Sequence, residues 1–145
     1  MPRAEIDPLW QDIDVIERLV REARTVAVVG CSPHPGRPSH NVARYLRGAG
    51  LRVLPVNPTV PAWYGLPVYP SVDALPEAPD IVDVFRRPEF TPEIAEQAIA
   101  VGAGALWLQI GVINIEAARI AAAGGLDVVM DRCLMVEHRE VVGWS

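Results

Sequence analysis

The sequence predicts a single-domain, doubly wound parallel sheet of about five strands with helices on both faces, an α/β fold. Three observations carry this expectation. Short apolar runs alternate with amphipathic stretches along the chain, the runs recurring at intervals of about 25 residues. The runs are continuously apolar, as strands buried on both faces must be. Each run ends abruptly in glycine, proline or a polar residue, and helical stretches open on Asp, Ser, Thr or Asn.

Taken in order, Asp7-Pro8 reads as a cap with proline at the first helical position, opening a helix over residues 8–23 with Leu9, Ile13, Ile16, Val20 and Ala23 on one face. This makes residues 1–24 a helical extension. Thr25 to Val29 is the first strand. After a loop, Ser39 caps a helix that turns Val42, Leu46 and Ala49 inward and stops at Gly48 and Gly50. Leu51 to Val56 is the second strand. A proline-dense stretch from Asn57 to Pro79 follows, with one helical turn near Ser71 to Leu75. Asp80 to Phe85 is the third strand, closed by Arg86-Arg87-Pro88.

Thr91-Pro92-Glu93 opens the next helix, with Ile94, Ala98 and Val101 inward and a stop at Gly102 and Gly104. Ala105 to Gly111 is the fourth strand, and Asn114 caps a helix through Ala123. Leu126 to Met130 is the fifth strand, and residues 131–145 are a tail without a clear pattern.

Composition narrows the function classes. The chain has 145 residues, half of them hydrophobic and 21% charged, with a formal net charge of -5. That size is enough for one proper core, and the balance is that of a folded domain. The acidic excess argues against a nucleic-acid partner, which demands cationic surface. No apolar run approaches the ~20 residues of a membrane span, and the first residues carry acids and prolines where a secretory leader has a basic start. The expectation is a cytoplasmic protein. Cys31 and Cys133 form no CxxC pair, so neither a metal site nor a disulfide framework is expected.

In an open parallel sheet, ligands settle beyond the carboxyl ends of the strands. The residues standing there are Gly30, Cys31 and Ser32, then Arg37, Ser39 and His40, after the first strand. Val56, Asn57 and Pro58 follow at the second, Phe85, Arg86 and Arg87 at the third, and Gln109 and Gly111 at the fourth. Every buried strand must surface into a polar loop, so one such end means little. The first loop says more, because glycine, serine and a helix start combine into an anion site. It is neither dinucleotide fingerprint nor P-loop, since Ser32 and Pro35 stand where glycines would and Gly36 is followed by Arg37-Pro38. Asn57 occupies the position where an NAD site places a carboxylate. Arg86 and Arg87 read either as surface charge or as a clamp for a ligand with several phosphates, such as a phosphorylated ADP moiety.

The runs VAVVGCS, VLPVNP, DIVDVFRRPE, LWLQIGVIN and GLDVVMDRC, in that order from Thr25 to Glu137, resemble the small stand-alone CoA-binding proteins of bacteria. Their fold is similar to the Rossmann-like CoA-binding domain of the succinyl-CoA synthetase alpha subunit. The resemblance implies coenzyme A, free or acylated, as the ligand. The diphosphate would rest on the Gly30 to Ser32 loop and the helix opening at Ser39. Val56, Asn57 and Pro58 would line the nucleotide side, Phe85, Arg86 and Arg87 would flank it, and Gln109 and Gly111 would border the pantetheine arm. The synthetase's phosphorylated histidine belongs to a second domain, so the resemblance does not extend to ligase activity.

No catalytic residue is evident. His34, His40 and His138 match no phosphohistidine motif, and the acids form no paired-carboxylate motif. Cys31, near a helix start, is a candidate for thiol exchange with the CoA sulfur, or simply a small loop residue. Cys133 beside Arg132 has similar, weaker credentials. A redox sensor or an NAD(P)- or acyl-CoA-dependent enzyme of the same fold is the alternative. Trp144 is a candidate dimer contact, and a partner enzyme is a further expectation; Trp63, Tyr64 and Trp107 read as packing residues.

Overall fold

The computed structural model describes residues 6–142; Trp144 lies outside them. The chain runs through α1 (Ile13–Glu22), β1 (Thr25–Val29), α2 (Pro38–Gly48), β2 (Arg52–Val56), a small hairpin of β3 (Ala62–Trp63) and β4 (Leu66–Pro67), and β5 (Ile81–Val84). It continues through α3 (Thr91–Ala100), β6 (Ala105–Leu108), α4 (Ile115–Ala123), β7 (Asp127–Met130) and α5 (Leu134–Val141). Five strands form one parallel sheet in the order β2-β1-β5-β6-β7. From β1 the chain steps outward to β2, then crosses back past β1 to β5. That reversal makes the gap between β1 and β5 the switch point.

Side chains alternate across each strand, and both faces are covered. Val26, Val28, Val53, Ile81, Ala105, Trp107 and Val129 pack under α1, α2 and α5, which contribute Ile16, Leu19, Val42, Ala43, Leu46 and Leu134. Ala27, Val29, Leu54, Val56, Val82, Val84, Leu106 and Leu108 pack under α3 and α4. Those helices present Ile94, Ala95, Ala98, Ala117, Ala118 and Ala121. This is why the strands read as unbroken apolar runs. Asp83 breaks the rule: it is wholly buried in β5 between Val28 and Trp107, and neither carboxyl oxygen has a hydrogen-bond partner. Burial pushes that carboxyl well above the ordinary carboxylate range.

Several local expectations are corrected. Pro8 opens a 3-10 turn over Pro8–Gln11, and the helix starts only at Ile13, because the Asp12 side chain accepts from the amides of Asp14 and Val15 and restarts the chain. Leu9 and Ile13 are consequently exposed. Ala49 lies beyond the end of α2 and is exposed. The helical turn of the proline-dense stretch is present at Val72–Ala74, but the β3–β4 hairpin in the same stretch had no sequence signal. The fourth strand ends at Leu108, and the tail forms α5, which packs on α1.

α5 is held to α2 by a 2.7 Å hydrogen bond between the Tyr45 hydroxyl and Nδ1 of His138. His138 is 6% exposed, and its burial lowers its pKa from the ordinary 6.5. The unfolded chain therefore binds the proton first as the pH falls, so this residue's contribution is full above pH 6.5 and is lost below it. Asp83 has the opposite sign, because the folded state holds its proton at pH values where the unfolded state has released it. Chemical denaturation checks both. His138→Gln should cost more stability at pH 7.5 than at pH 5.5, and Asp83→Asn should be better tolerated at pH 8 than at pH 5.

Candidate functional site

β1 ends because Gly30 turns the chain at φ +86, a conformation costly to any residue with a Cβ. The amides of Gly30 and Cys31 both point at the Val56 carbonyl, at 2.8 and 3.2 Å, which ties the ends of β1 and β2 together. Asn57 completes the tie: its Nδ2 donates to the Cys31 carbonyl at 3.0 Å, while its Oδ1 accepts from the Thr59 amide and hydroxyl. This carboxamide is a clamp between two loops.

The loop that follows is paired mostly with itself. The Ser32 amide donates to the Ser39 hydroxyl, the His34 amide to the Ser32 hydroxyl, the Gly36 amide to Asn41 Oδ1, and the Arg37 amide to the His34 carbonyl. Pro33, Pro35 and Pro38 carry no amide hydrogen. The amides of the turn are therefore largely satisfied within it. Donors remain one step further on, in the first turn of α2. There Pro38 occupies the first helical position and Arg37 the cap, with no side-chain cap hydrogen bond. The amides of Ser39 and His40 lack helical acceptors by position. Ser39 is thus a buried first-turn residue rather than the cap. Its hydroxyl and that of Ser32, each accepting from an amide, keep their own hydrogens free to donate.

An open groove of about 300 Å³ lies over this turn, lined by Gly30, Ser32, His34, Arg37, Pro38, Ser39 and Phe85. Among the described residues none lining it is acidic. A second space at the same strand ends is a slot of about 210 Å³ with apolar walls from Val29, Val56, Pro58, Val72 and Ile94. Arg86 lines the slot and lies against Gly30, which lines the groove. Its Cδ lies 3.3 Å from where a Cβ on Gly30 would be, and its guanidinium sits 4.6 Å over the Phe90 ring. Phe90 thereby holds the charge at the slot rather than letting it swing into solvent.

The structure thus gathers Gly30, Ser32, Arg37, Ser39 and Phe85 at one space, and Val56, Pro58 and Arg86 at its neighbour. Arg87 is exposed and caps the turn at Pro88–Phe90. Gln109 and Gly111 lie two strands from β1. The Gln109 Oε1 accepts from the Leu134 amide and so seats α5, and the Gly111 amide donates to Asp131 Oδ1. His40 is turned away from the groove: it is 1% exposed and its Nε2 lies 2.9 Å from the Tyr64 hydroxyl, under the β3–β4 hairpin. Cys31 is 1% exposed, and burial pushes its thiol up to about 12, which favours the reading as a small loop residue over thiol exchange. Cys133 is half-buried at the cap of α5. Sequence reasoning missed His34 and Pro38 in the groove and Ser71, Glu93 and Gln97 in the slot. The Glu93 and Gln97 spacing of four on one helix was the available signal.

A Rossmann-like sheet with its open spaces at the switch point belongs to the class of proteins that hold ligands beyond the strand ends. The profile of a family described as CoA binding domain matches residues 24–139, and the chain belongs to that family. Uncharacterized protein YneT of Bacillus subtilis (strain 168) is 37% identical over 123 residues, spanning 85% of this chain and 91% of that one. An ADP-forming acetate–CoA ligase I of Archaeoglobus fulgidus is 27% identical over 130 residues, 81% of this chain but 19% of the ligase. A hypothetical protein from Pyrococcus horikoshii OT3 superposes with a TM-score of 0.89 at 37% identity, covering 97% of this chain and 100% of that one. No helix among the described residues is long and apolar enough to cross a membrane.

Two measurements check this geometry. Gly30→Ala should destabilise the fold by ~1–2 kcal/mol, the cost of a left-handed residue bearing a Cβ, visible as a lowered Tm. In the native protein iodoacetamide should alkylate Cys133 well before Cys31, as read by peptide mass spectrometry.

Proposed function

We propose that this protein binds coenzyme A, free or acylated, across the carboxyl edge of β2, β1 and β5. The diphosphate sits over the first turn of α2, where the Ser39 and His40 amides, the Ser32 and Ser39 hydroxyls and Arg37 supply donors. The adenine nucleotide lies in the slot, with Arg86 between it and the diphosphate, and the pantetheine arm runs toward Gln109 and Gly111. The observation that carries this reading is a pair of spaces at the switch point, one lined by donors and one with apolar walls, linked through Arg86, which lines the slot and lies against Gly30 of the groove. Arginine held on an aromatic ring offers fixed donors to phosphate. The family membership and the acetate–CoA ligase relative support CoA as the nucleotide.

The ligand's role here is to be held. The ligase relative is about five times the length of the matched segment, whose share of it is 19%, so its reaction is not carried over. The neutral, buried Cys31 thiol gives no support to exchange chemistry at the loop.

Calorimetric titration with CoA, 3′-dephospho-CoA and NAD tests the proposal. CoA should bind best. Removing the 3′-phosphate should weaken it about tenfold or more, the scale of one charge-assisted contact at ~1.4 kcal/mol per decade. Arg86→Ala should narrow the gap between CoA and its dephospho form. No heat with millimolar CoA, or tighter binding of NAD, overturns the reading.

A further inference from the structure

Charge is unevenly spread along this chain. Residues 23–72 hold five arginines and no aspartate or glutamate, whereas the other residues hold eight arginines against all eighteen acids. The fold keeps the first group together, because β1, α2, β2 and the β3–β4 hairpin form one end of the molecule, with β2 as the edge strand. An acidic protein thus presents one basic end.

That end has an organised feature. Tyr64 and Gly65 alone join β3 to β4, both with positive φ, as a tight hairpin turn of type I′ requires. Asparagine or glycine is the ordinary first residue of such a turn, and a tyrosine at φ +46 is strained. Contacts hold it there: its hydroxyl meets the buried His40, and the Trp63 ring packs edge-on with centroids 4.8 Å apart. Tyr64 nevertheless keeps 50% of its surface exposed.

It also meets two arginines of α2. The Arg44 guanidinium lies 5.4 Å over its ring, and Arg47 Nη1 donates to its carbonyl at 3.2 Å. Three residues apart, the two arginines are neighbours on the helix surface. Both are exposed, and neither joins an ion pair among the described residues. The helix dipole by itself favours a cation at Arg47, in the last turn of α2, but it does not explain why both guanidiniums converge on one strained tyrosine. Two guanidiniums steadied by one residue, with no carboxylate to neutralise them, form a receptor for carboxylates. Arginine grips a carboxylate through two parallel N–H bonds, and prior orientation lowers the cost of binding. Nucleic acid fits less well, since it gains from many phosphate contacts along its length, and the residues outside 23–72 carry ten more acids than arginines.

We infer that the hairpin tip and the exposed face of α2 dock a short acidic segment of a protein partner, with Tyr64 aiming Arg44 and Arg47 at its carboxylates. None of the three residues lines the groove or the slot, so this surface is independent of the CoA reading.

Fluorescence anisotropy with labelled hexaglutamate tests it, with and without millimolar CoA to cover the groove. The peptide should bind the parent equally in both conditions and weaken as salt screens the contact. Replacing both arginines, Arg44→Ser with Arg47→Ser, should weaken it at least tenfold and leave CoA affinity within twofold. Tyr64→Asn, which keeps both charges and suits the turn, should weaken it at least threefold. Circular dichroism verifies the fold of each variant. Unchanged peptide affinity in either variant, or displacement of the peptide by CoA, overturns the inference and leaves CoA binding standing. Tighter binding of hexathymidylate than of hexaglutamate gives the face to nucleic acid and overturns it. Self-association of the parent that the arginine variant loses, read by sedimentation, gives the face to a second copy and overturns it as well.

Discussion

The Val56 carbonyl accepts two amides, from Gly30 and Cys31, and the rest of the ligand-facing edge depends on that convergence. It stops β1 and β2 at one level and forces the chain to leave the sheet at Gly30. Everything above that level follows from the exit direction: α2 on one face, the β5 loop on the other, and Arg86 lying across the glycine. A side chain at position 30 would occupy the space Arg86 uses. The Asn57 clamp reinforces the same junction from the β2 side. Strand order then makes it a switch point, because β1 is where the crossovers reverse direction.

The groove over α2 differs from a glycine-rich phosphate loop in where its free amides reside. Three prolines remove amides from the loop, and internal hydrogen bonds consume those of Ser32, His34, Gly36 and Arg37. The loop is tied to itself, and the amides left without helical acceptors are those of the first turn of α2. A helix whose cap residue offers no side-chain acceptor leaves its leading amides available to a ligand. The prolines also lower the entropy of the unbound loop, so that less order remains to be imposed when a ligand arrives.

Buried polar groups mark the second layer of this architecture. Gln109 seats the start of α5, Tyr45 and His138 join α2 to α5, and the Trp107 indole donates to the Arg132 carbonyl at 2.8 Å. The Gln109 and Trp107 contacts tie the start of the last helix to the carboxyl edge that carries the groove, while Tyr45 and His138 fix its far end near the start of β1. Cys31 belongs to this layer rather than to the ligand surface, packed in the core that Val28 and Leu46 define. Asp83, between Val28 and Trp107 in the sheet, is buried without a hydrogen-bond partner, a cost that hydrophobic packing on both sides of β5 offsets.

The sequence by itself determined the parallel sheet, the approximate strands, the cap at Asn114, and the residues that stand at the strand ends. Continuous apolar runs have few alternatives to a doubly covered sheet, and caps act within one turn, so both are local signals. Only the tertiary structure decided which strand-end residues share a space. It brought Arg86 onto Gly30 and Glu93 and Gln97 to the slot, while turning His40 under the hairpin and committing Gln109 to α5. The β3–β4 hairpin and α5 were equally illegible, being short or weakly patterned segments stabilised by what they pack against. The direction a side chain takes at a strand end depends on partners far away in the chain, and no local pattern encodes them.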